Sequence, residues 1–477
     1  MPILYVRGSR LRAEKIEASV GIKNESWALI TFFLIQLSDS FLSFLSFLSF
    51  LSRQMSSIFS ELRTKYVTWP ALCSYLKSEE GGSLRVEDRS THENPFALIR
   101  YVKGNSNLSL THVRAFRSVV WDTIENRPVS VTSFKSEDGE GLPAGSVENF
   151  HVEPFLDGVM IGLFYDKHSN NWRIHTRSTL DAHCRYYSQT KTFREMFAEA
   201  FHTSIYDTLD KNASYTYILQ HTENRIVVPV HGSPRALCVD KALIDASSGI
   251  VHFVKSTAPA VISWDAVRAS LADLNMRFGY RVQGLVIRNN ENNQRYKVRT
   301  PEYNRVRRLR GNSARRDYLW LQSWHEGTLH DYLALFPEER VVANNCIQRW
   351  KQITNDVYHI YTDVFKARSL QKSSIPPKYR PLVYGMHSMY LDTLKPAGKS
   401  VDWHATLEYM NNRDTAQMLF VINWELRQAT KQLGVPSIPL EPPTAVGTDV
   451  LDDLLVITSA EKYAEPVTTI AVEANEA

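Results

Sequence analysis

The amino-acid sequence predicts an α+β fold class, in which a domain built on an antiparallel sheet is followed by an all-helical C-terminal domain. Between Pro95 and Leu309, short β-branched and aromatic runs alternate with Asp, Asn, Gly and Ser turns, as in successive strands. Turn-length loops join strand pairs such as 159–176, which favours antiparallel pairing. After Arg310, long helical patterns replace the strand signals.

The individual elements follow from apolar periodicity and from turn residues. An amphipathic helix over 55–77, broken near Pro70, is predicted to precede the sheet. Strands are predicted at 116–122, 128–133, 159–165, 172–176, 215–220, 225–230, 237–240, 284–288 and 295–299. Helices are predicted at 192–209, 264–278, 318–335, 338–366, 379–394 and 415–433.

The length of 477 residues exceeds what one core usually organises, so two folded domains with appendages are expected. The predicted division is an extension over 1–54, a sheet domain over 55–310, a helical domain over 311–436 and a tail over 437–477. That tail has four prolines, eight acidic residues and one lysine, a composition typical of a disordered acidic segment.

The first segment has two open interpretations. Residues 28–51 contain a single charge, Asp39, and are long enough to span a bilayer, so a membrane anchor or targeting segment is one. Residues 41–52 are four copies of Phe-Leu-Ser, and Met55 follows closely, so an extension outside the functional protein is the other. A membrane partner is expected only if the span at 28–51 is real.

Net charge and cysteines limit the function classes. A net charge of +4 is too small to indicate nucleic-acid binding by itself. The four cysteines lie far apart without a CxxC pair, which argues against a zinc site and against a disulfide framework. We therefore expect a cytoplasmic location, which would be the host cytoplasm or the virion if the protein is viral.

Several short motifs occur in a distinctive order. Phe155-Leu-Asp-Gly158 precedes the strand 159–165, and the next strand leads into Thr176-Arg-Ser. Before them lies the strand at 116–122, which contains Arg117. After them come Tyr217-Ile-Leu-Gln with Asn224-Arg-Ile-Val, then Gln283-Gly-Leu-Val, then Tyr296-Lys-Val-Arg.

This order over about 55–433 resembles the phage T4-type RNA ligases of the covalent nucleotidyltransferase superfamily. The resemblance implies an antiparallel-sheet nucleotidyltransferase (adenylation) domain ahead of the helical domain. It also implies ATP and Mg²⁺ as cofactors and RNA, either tRNA-like or nicked, as the partner. In that family a lysine amine attacks the ATP α-phosphate and carries AMP.

Three positions depart from the pattern that the resemblance implies. Phe155 stands where the family has its lysine, and a phenyl group has no lone pair with which to attack phosphorus. Ile218 stands where a glutamate contacting ribose is expected, and Gln283 where a glutamate helping to hold the metal is expected. A glutamine keeps an oxygen acceptor but not the negative charge, so Mg²⁺ binding is expected to be weak.

The basic positions of the motifs are kept. Arg117, Arg177, Lys297 and Arg299 match sites where the family sets cations against phosphates, and arginine binds phosphate bidentately. Each also suits a solvated strand end, and Asp157 with Gly158 also suits an ordinary turn. A tract beside the predicted domain junction suggests an RNA phosphate track, although a solvated linker or a clamp for the acidic tail fits it too; its members are Arg305, Arg307, Arg308, Arg310, Arg315 and Arg316.

Lys135 is a second candidate for the AMP acceptor, because it lies shortly before Asp138-Gly139. That Asp-Gly pair has one residue too many before it and is followed by Glu-Gly-Leu-Pro, which supplies no apolar strand. The family also has a nucleotide-contacting lysine in this loop, and that role is the favoured expectation for Lys135.

Three hypotheses follow. The leading one is a pseudoenzyme that forms no lysyl-AMP and keeps RNA and nucleotide phosphate binding, with no catalytic residue and no metal ligand expected. The second is an active ATP-dependent RNA ligase, which either seals RNA adenylated by another enzyme or uses Lys135 as acceptor. The third is a structural or scaffolding component, such as one in a viral particle, with protein partners.

Overall fold

A computed structural model describes residues 57–139, 146–188, 190–254, 260–289 and 294–432. The predicted extension over 1–54, the apolar stretch at 28–51 and the tail at 437–477 lie outside these residues. Of the helices that the model describes, none is both long and apolar enough to cross a bilayer. Mainly antiparallel sheets are followed by a run of helices, which confirms the α+β class predicted from the sequence.

The strands form three sheets. Sheet I has the order β1-β2-β3-β4, sheet II β11-β10-β9-β7-β8 and sheet III β12-β6-β13-β14-β5. Only the β14–β5 pair among the described strands is parallel. The strands are β1 Arg85–Asp88, β2 Phe96–Arg100, β3 Val119–Asp122, β4 Arg127–Val131, β5 Glu137–Asp138, β6 Ser146–Phe155, β7 Val159–Asp166, β8 Asn171–His175, β9 Ala213–Gln220, β10 Arg235–Ile244, β11 Val251–Phe253, β12 Ala260–Ser263, β13 Gly284–Asn289 and β14 Arg295–Arg299.

The helices frame these sheets and then form a bundle of their own. The first two helices are separated at 66–68, and Pro70 lies in the first turn of the second, where a missing N–H is tolerated. The helices are α1 57–65, α2 Trp69–Lys77, α3 Thr111–Ala115, α4 Phe193–Ala200, α5 Trp264–Phe278, α6 Pro301–Arg310, α7 Arg316–His325, α8 Leu329–Leu335, α9 Arg340–Tyr361, α10 Arg380–Met389, α11 Trp403–Asn411, α12 Thr415–Ile422 and α13 Trp424–Gln432.

One predicted strand is wrong. Residues 225–230 form no strand, because the backbone N–H groups of Val227 and Val228 donate to the Asp157 carboxylate instead of to a neighbouring strand. The side chains of Ile226 and Val227 join the core of the helical region. A buried side-chain acceptor thus replaces the sheet ladder that the apolar pattern predicted.

The helical region shares its core with the sheet region. Tyr303 and Val306 of α6 pack in the same cluster as Trp350 of α9 and Val383 of α10. The sequence pattern did not predict α6, whose start is capped by the Thr300 hydroxyl accepting from the Tyr303 N–H. The domain boundary at 310/311 therefore stays a prediction, since apolar packing continues across it.

His175 joins sheet I to sheet II and is completely buried. Its Nε2 lies 2.8 Å from the Ser130 hydroxyl, and its Nδ1 lies 3.2 Å from that of Ser118. The ring lies so close to β7 that a Cβ at Gly162 would be 2.1 Å from Nε2. Burial lowers the pKa of His175 to about 4, so the folded protein holds the neutral imidazole.

The stability of the fold is therefore expected to fall with acidification. The folded pKa of His175 lies below its ordinary value, so its contribution is complete above about pH 6.5 and is lost as the pH falls towards 4. One such group contributes a slope of at most about 1.4 kcal/mol per pH unit. Denaturant unfolding from pH 7 to 4 should show a shallower slope for His175→Gln than for wild type, and equal slopes would contradict this.

Candidate functional site

Sheet III has an apolar and a basic face, because successive side chains of a strand point to opposite sides. Leu285 and Ile287 lie on the apolar face, which packs on α5. On the other face, strand pairing sets the residues of β6, β13 and β14 side by side in three rows. The first row is Phe155, Gly284 and Arg299, the second is Glu153, Val286 and Lys297, and the third is His151, Arg288 and Arg295. We call this the basic face, since four of its nine positions are Lys or Arg.

Phe155 ends β6 on this face, where it is half-buried. The Lys297 ammonium lies 5.1 Å from the centre of its ring, and the Arg299 guanidinium carbon lies 5.0 Å from it. Both distances fall in the range of cation–π attraction. The position that the resemblance assigns to the lysine nucleophile thus holds an aromatic ring that contacts two cations.

The turn after Phe155 is fixed by Asp157, which is buried. Its carboxylate accepts from the Val227 and Val228 N–H groups at 3.0 and 2.8 Å and from the Tyr303 hydroxyl at 2.8 Å. Burial and the neighbouring Asp157 charge hold the pKa of Tyr303 well above its usual range, so the hydroxyl keeps its proton and donates it. Asp157 therefore organises the turn between β6 and β7.

Gly158 completes this turn at a position that only glycine fits. Its φ is +153°, and a Cβ there would lie 2.5 Å from the Leu219 carbonyl oxygen and 2.6 Å from a methyl of Ile218. The turn therefore presses directly on β9. Ile218 is half-buried on β9, opposite Met160 of β7, and it covers this turn with an apolar side chain.

The motif positions Gln283 and Ile218 do not supply the anionic ligands of a Mg²⁺ site, and Glu153, the carboxylate on the basic face, is bound by Arg288. Gln283 is buried immediately before β13, and neither it nor Ile218 offers a carboxylate. Among the described residues, one group of His and acidic side chains is close enough together to hold a metal. It consists of Asp122, Glu125 and His168, at and just after the ends of β3 and β7. Its members pair already, since His168 Nε2 lies 2.7 Å from Asp122 Oδ2 and Glu125 binds Arg127.

Of three further predicted cations, Arg117 and Lys135 lie near sheet III, and Arg177 lies elsewhere. Arg117 lies near enough to Arg295 of β14 for its charge to lower the pKa of that residue. The Lys135 ammonium is 3.5 Å from Glu137 of β5, the edge strand of sheet III. Arg177 is buried over the ring of Tyr101, at 4.8 Å, and donates to the Tyr101 carbonyl oxygen at 3.1 Å.

The arginine tract divides into exposed and buried members. Arg305 and Arg308 are exposed on α6, Arg305 beside Glu302 at 3.0 Å, and Arg307 is half-buried on the same helix. Arg310 is 2% exposed and donates to Glu339 at 2.6 Å and to the Arg225 carbonyl oxygen at 2.9 Å. We therefore leave Arg310 out of the phosphate track predicted from the sequence, because its guanidinium is buried and both its Nη1 and Nη2 are bound within the protein.

Sequence reasoning missed the charge network beside the basic face. Arg288 donates to Asp240 of β10 at 2.6 Å and also binds Glu153 of β6, and Ser133 donates to the same aspartate. These residues belong to none of the motifs. The sequence did contain one signal of a charged sheet face, although not of this network. Charged residues occupy every second position of the predicted strand 295–299, namely Arg295, Lys297 and Arg299.

Comparison with known proteins gives structural likenesses of low identity. No family model matches the chain, and no curated protein matches it. A solved structure titled archaeal ATP-dependent RNA ligase, form 1, is 13% identical, with 77% of this chain and 98% of that chain covered at a TM-score of 0.35. Form 2 of the archaeal ligase is 14% identical, with 83% and 97% covered at a TM-score of 0.34.

Proposed function

We propose that this chain is an RNA ligase-like protein of the T4 type that forms no lysyl-AMP and binds RNA and nucleotide phosphates on its basic face. The observation that carries the proposal is the ring of Phe155 at the motif position, with both Lys297 and Arg299 within about 5 Å of its centre. The order of the motifs supports the resemblance to the family. The identity of Phe155 accounts for the missing nucleophile.

Two physical arguments exclude self-adenylation through the motif position. The phenyl ring of Phe155 has no electron pair to donate to the ATP α-phosphate. Ile218 and Gln283 leave the site without the two family carboxylates, so a divalent cation has no anionic ligand from these positions. Lys135 is the remaining candidate acceptor, and its ammonium lies beside the carboxylate of Glu137.

Phosphate binding is supported by the cations that share this face. Lys297 and Arg299 are half-buried on one side of β14, and Arg117 lies close by. Alternate residues of a strand point to the same face and lie about 7 Å apart, which is the spacing of Lys297 and Arg299 along β14. That distance approximates the separation of successive phosphates in an extended nucleic-acid strand, so one strand of RNA can contact both.

The first test is covalent adenylation. The full chain incubated with α-³²P-labelled ATP and Mg²⁺ is expected to carry no label after denaturing gel electrophoresis at neutral to alkaline pH, where a lysyl-AMP bond would survive, because no amine occupies the motif position. Lys135→Ala is the matched variant. A label on wild type that Lys135→Ala abolishes would reject the proposal and assign the acceptor to Lys135, and a label on both variants would reject it without that assignment.

The second test is RNA binding as a function of salt. Lys297→Ala/Arg299→Ala is expected to weaken binding of a single-stranded RNA about tenfold and to reduce the slope of log K against log salt by about 1.4, which is two phosphate contacts. The control is Arg268→Ala/Arg277→Ala on α5, which packs against the opposite face of sheet III and makes the same change in charge. Equal losses in both double variants would show a general charge effect and contradict a site on the basic face.

The RNA-binding measurement, with a sealing assay added, also separates the proposal from the other two hypotheses. A scaffolding component has no reason to bind RNA, so absence of affinity in wild type at low salt would favour that hypothesis. Sealing of RNA that already carries a 5′-adenylate would instead favour a ligase that keeps only its last step.

A further inference from the structure

Two arginines stand directly opposite each other on the basic face, Arg288 on β13 and Arg295 on β14. Like charges at directly opposed positions of an antiparallel pair destabilise a sheet. Arg288 is neutralised by Glu153 and Asp240, which bind its Nε and Nη1. The charge of Arg295 has no such neutralising contact within the described residues.

Arg295 is 7% exposed, and within the part of the chain that the structure describes its side chain makes one hydrogen bond, from Nη2 to the Phe134 carbonyl oxygen at 3.2 Å. Its Nε is buried without a hydrogen-bond partner among the residues that the structure describes. Burial, together with the charges of Arg117 and Arg288, lowers the pKa of Arg295 to about 9, even though the charges of Asp240 and Glu153 act to raise it. A buried guanidinium in this state costs stability that an apolar side chain of similar volume would not.

The donors that Arg295 leaves unused suit an anion. A guanidinium offers planar N–H groups that match the oxygens of a phosphoryl group, and such charge-assisted bonds are strong where water is excluded. The row that contains Arg288 and Arg295 is open to solvent at Arg288, whose side chain is 16% exposed. The next row is open to solvent at half-buried Lys297. Phe155 lies two rows away on the same face.

We propose that Arg295, supported by Arg288, forms a subsite for a phosphoryl group on the basic face, separate from the motif cations Lys297 and Arg299. The phosphoryl group comes either from an RNA end or from free phosphate. The RNA source rests on the proposed function, and the free-phosphate source does not. Arg295 is then a binding residue whose cost to the unliganded fold is offset when the anion is bound.

The first arm of the test uses inorganic phosphate on the full chain. Phosphate at constant ionic strength is expected to raise the thermal midpoint of wild type and of the control Arg277→Gln, an exposed residue of α5. Arg295→Gln should lose this rise while its unliganded midpoint stays equal or increases, because an uncompensated charge is removed. If Arg295→Gln does not fold, Arg295→Lys keeps the charge without the planar fork and should bind phosphate about tenfold more weakly.

The second arm uses one RNA oligonucleotide with a 5′-phosphate, a 3′-phosphate or hydroxyl ends. Wild type is expected to prefer one phosphorylated end about tenfold, and Arg295→Gln should lose the preference. An Arg295-dependent phosphate response without an RNA-end preference assigns free phosphate as the source and supports the subsite. Binding of phosphate without any affinity for RNA would reject the proposed function and leave the subsite intact.

The subsite is overturned by two results. One is an unchanged phosphate response and an unchanged RNA-end preference in Arg295→Gln or, where that variant does not fold, in Arg295→Lys. The other is a wild type that responds to neither phosphate nor phosphorylated RNA ends, in which case Arg295 serves packing alone.

Discussion

Glu339→Ala is expected to lower the free energy of unfolding by about 3–5 kcal/mol, the range for removing one partner of a buried ion pair. Glu339 lies just before α9 and binds two buried arginines, Arg310 and Arg316. It also accepts from the Tyr332 hydroxyl at 2.6 Å and from the Trp320 indole N–H at 2.9 Å. The alanine variant would leave two guanidinium groups buried without their carboxylate.

The size of this effect follows from burial. The side chains of Arg310 and Arg316 are 3% and 5% exposed, and that of Glu339 is 15% exposed. Burial and then the Arg310 charge lower the pKa of Arg316 to about 10, and without Glu339 the two guanidinium groups would repel each other without a carboxylate between them. The rings of Tyr187 and Phe336 beside Arg310 attract it only weakly by comparison.

Denaturant unfolding measures the loss, with Glu326→Ala as the control. Glu326 is exposed at the end of α7 and is contacted by the Gln322 amide at 2.9 Å, so its replacement should change the free energy by less than about 0.5 kcal/mol. A loss in Glu339→Ala no larger than in this control would mean that the arginine pair is stabilised by other contacts.

Asp157→Asn is expected to cost about 2–3 kcal/mol of unfolding free energy, because the carboxylate accepts from three buried donors and an amide cannot. The two N–H groups of Val227 and Val228 meet one carboxylate oxygen, and the Tyr303 hydroxyl meets the other. With its NH₂ group towards Val227 and Val228, the Asn meets two N–H donors; with that group towards Tyr303, the hydroxyl must accept instead of donate, which leaves its own buried proton without the carboxylate. The loop over 225–230 and the N-terminal part of α6 should both loosen.

Hydrogen exchange locates this effect, and Asp273→Asn on α5 supplies the control. The Asp273 side chain is 48% exposed and pairs with Arg277 at 3.2 Å, a contact worth about 0.3–0.5 kcal/mol on a helix surface. Faster exchange of the Val227 and Val228 amides in Asp157→Asn, without change in Asp273→Asn, is the expected pattern. Unchanged exchange at both amides would show that the loop is held by its buried apolar side chains.

Much of the sheet region was predictable, because its strands are short runs of β-branched and aromatic residues between clear turns. The predicted strands at 159–165 and 295–299 appear as Val159–Asp166 and Arg295–Arg299. Residues 225–230 have the same apolar signal without forming a strand, since a carboxylate distant in sequence takes their N–H groups. Local pattern does not report such long-range acceptors.

The candidate site was predictable in its motif residues and not in their surroundings. Phe155, Lys297 and Arg299 stand in the motifs that the resemblance uses, while Arg288 and Arg295 stand outside them. In the tract after Arg299, Arg305 and Arg310 look alike in sequence. The structure separates them, because Arg305 is exposed on α6 and Arg310 is buried against Glu339.

The sequence by itself determined the α+β class, the motif order and the absence of an amine at Phe155, since these depend on residue identity and short-range periodicity. Only the tertiary structure decided that Lys297 and Arg299 close on the ring of Phe155 and that Arg295 is buried without a neutralising contact in the described part of the chain. Those facts depend on strand register, which joins residues more than a hundred positions apart and decides which charges share a face.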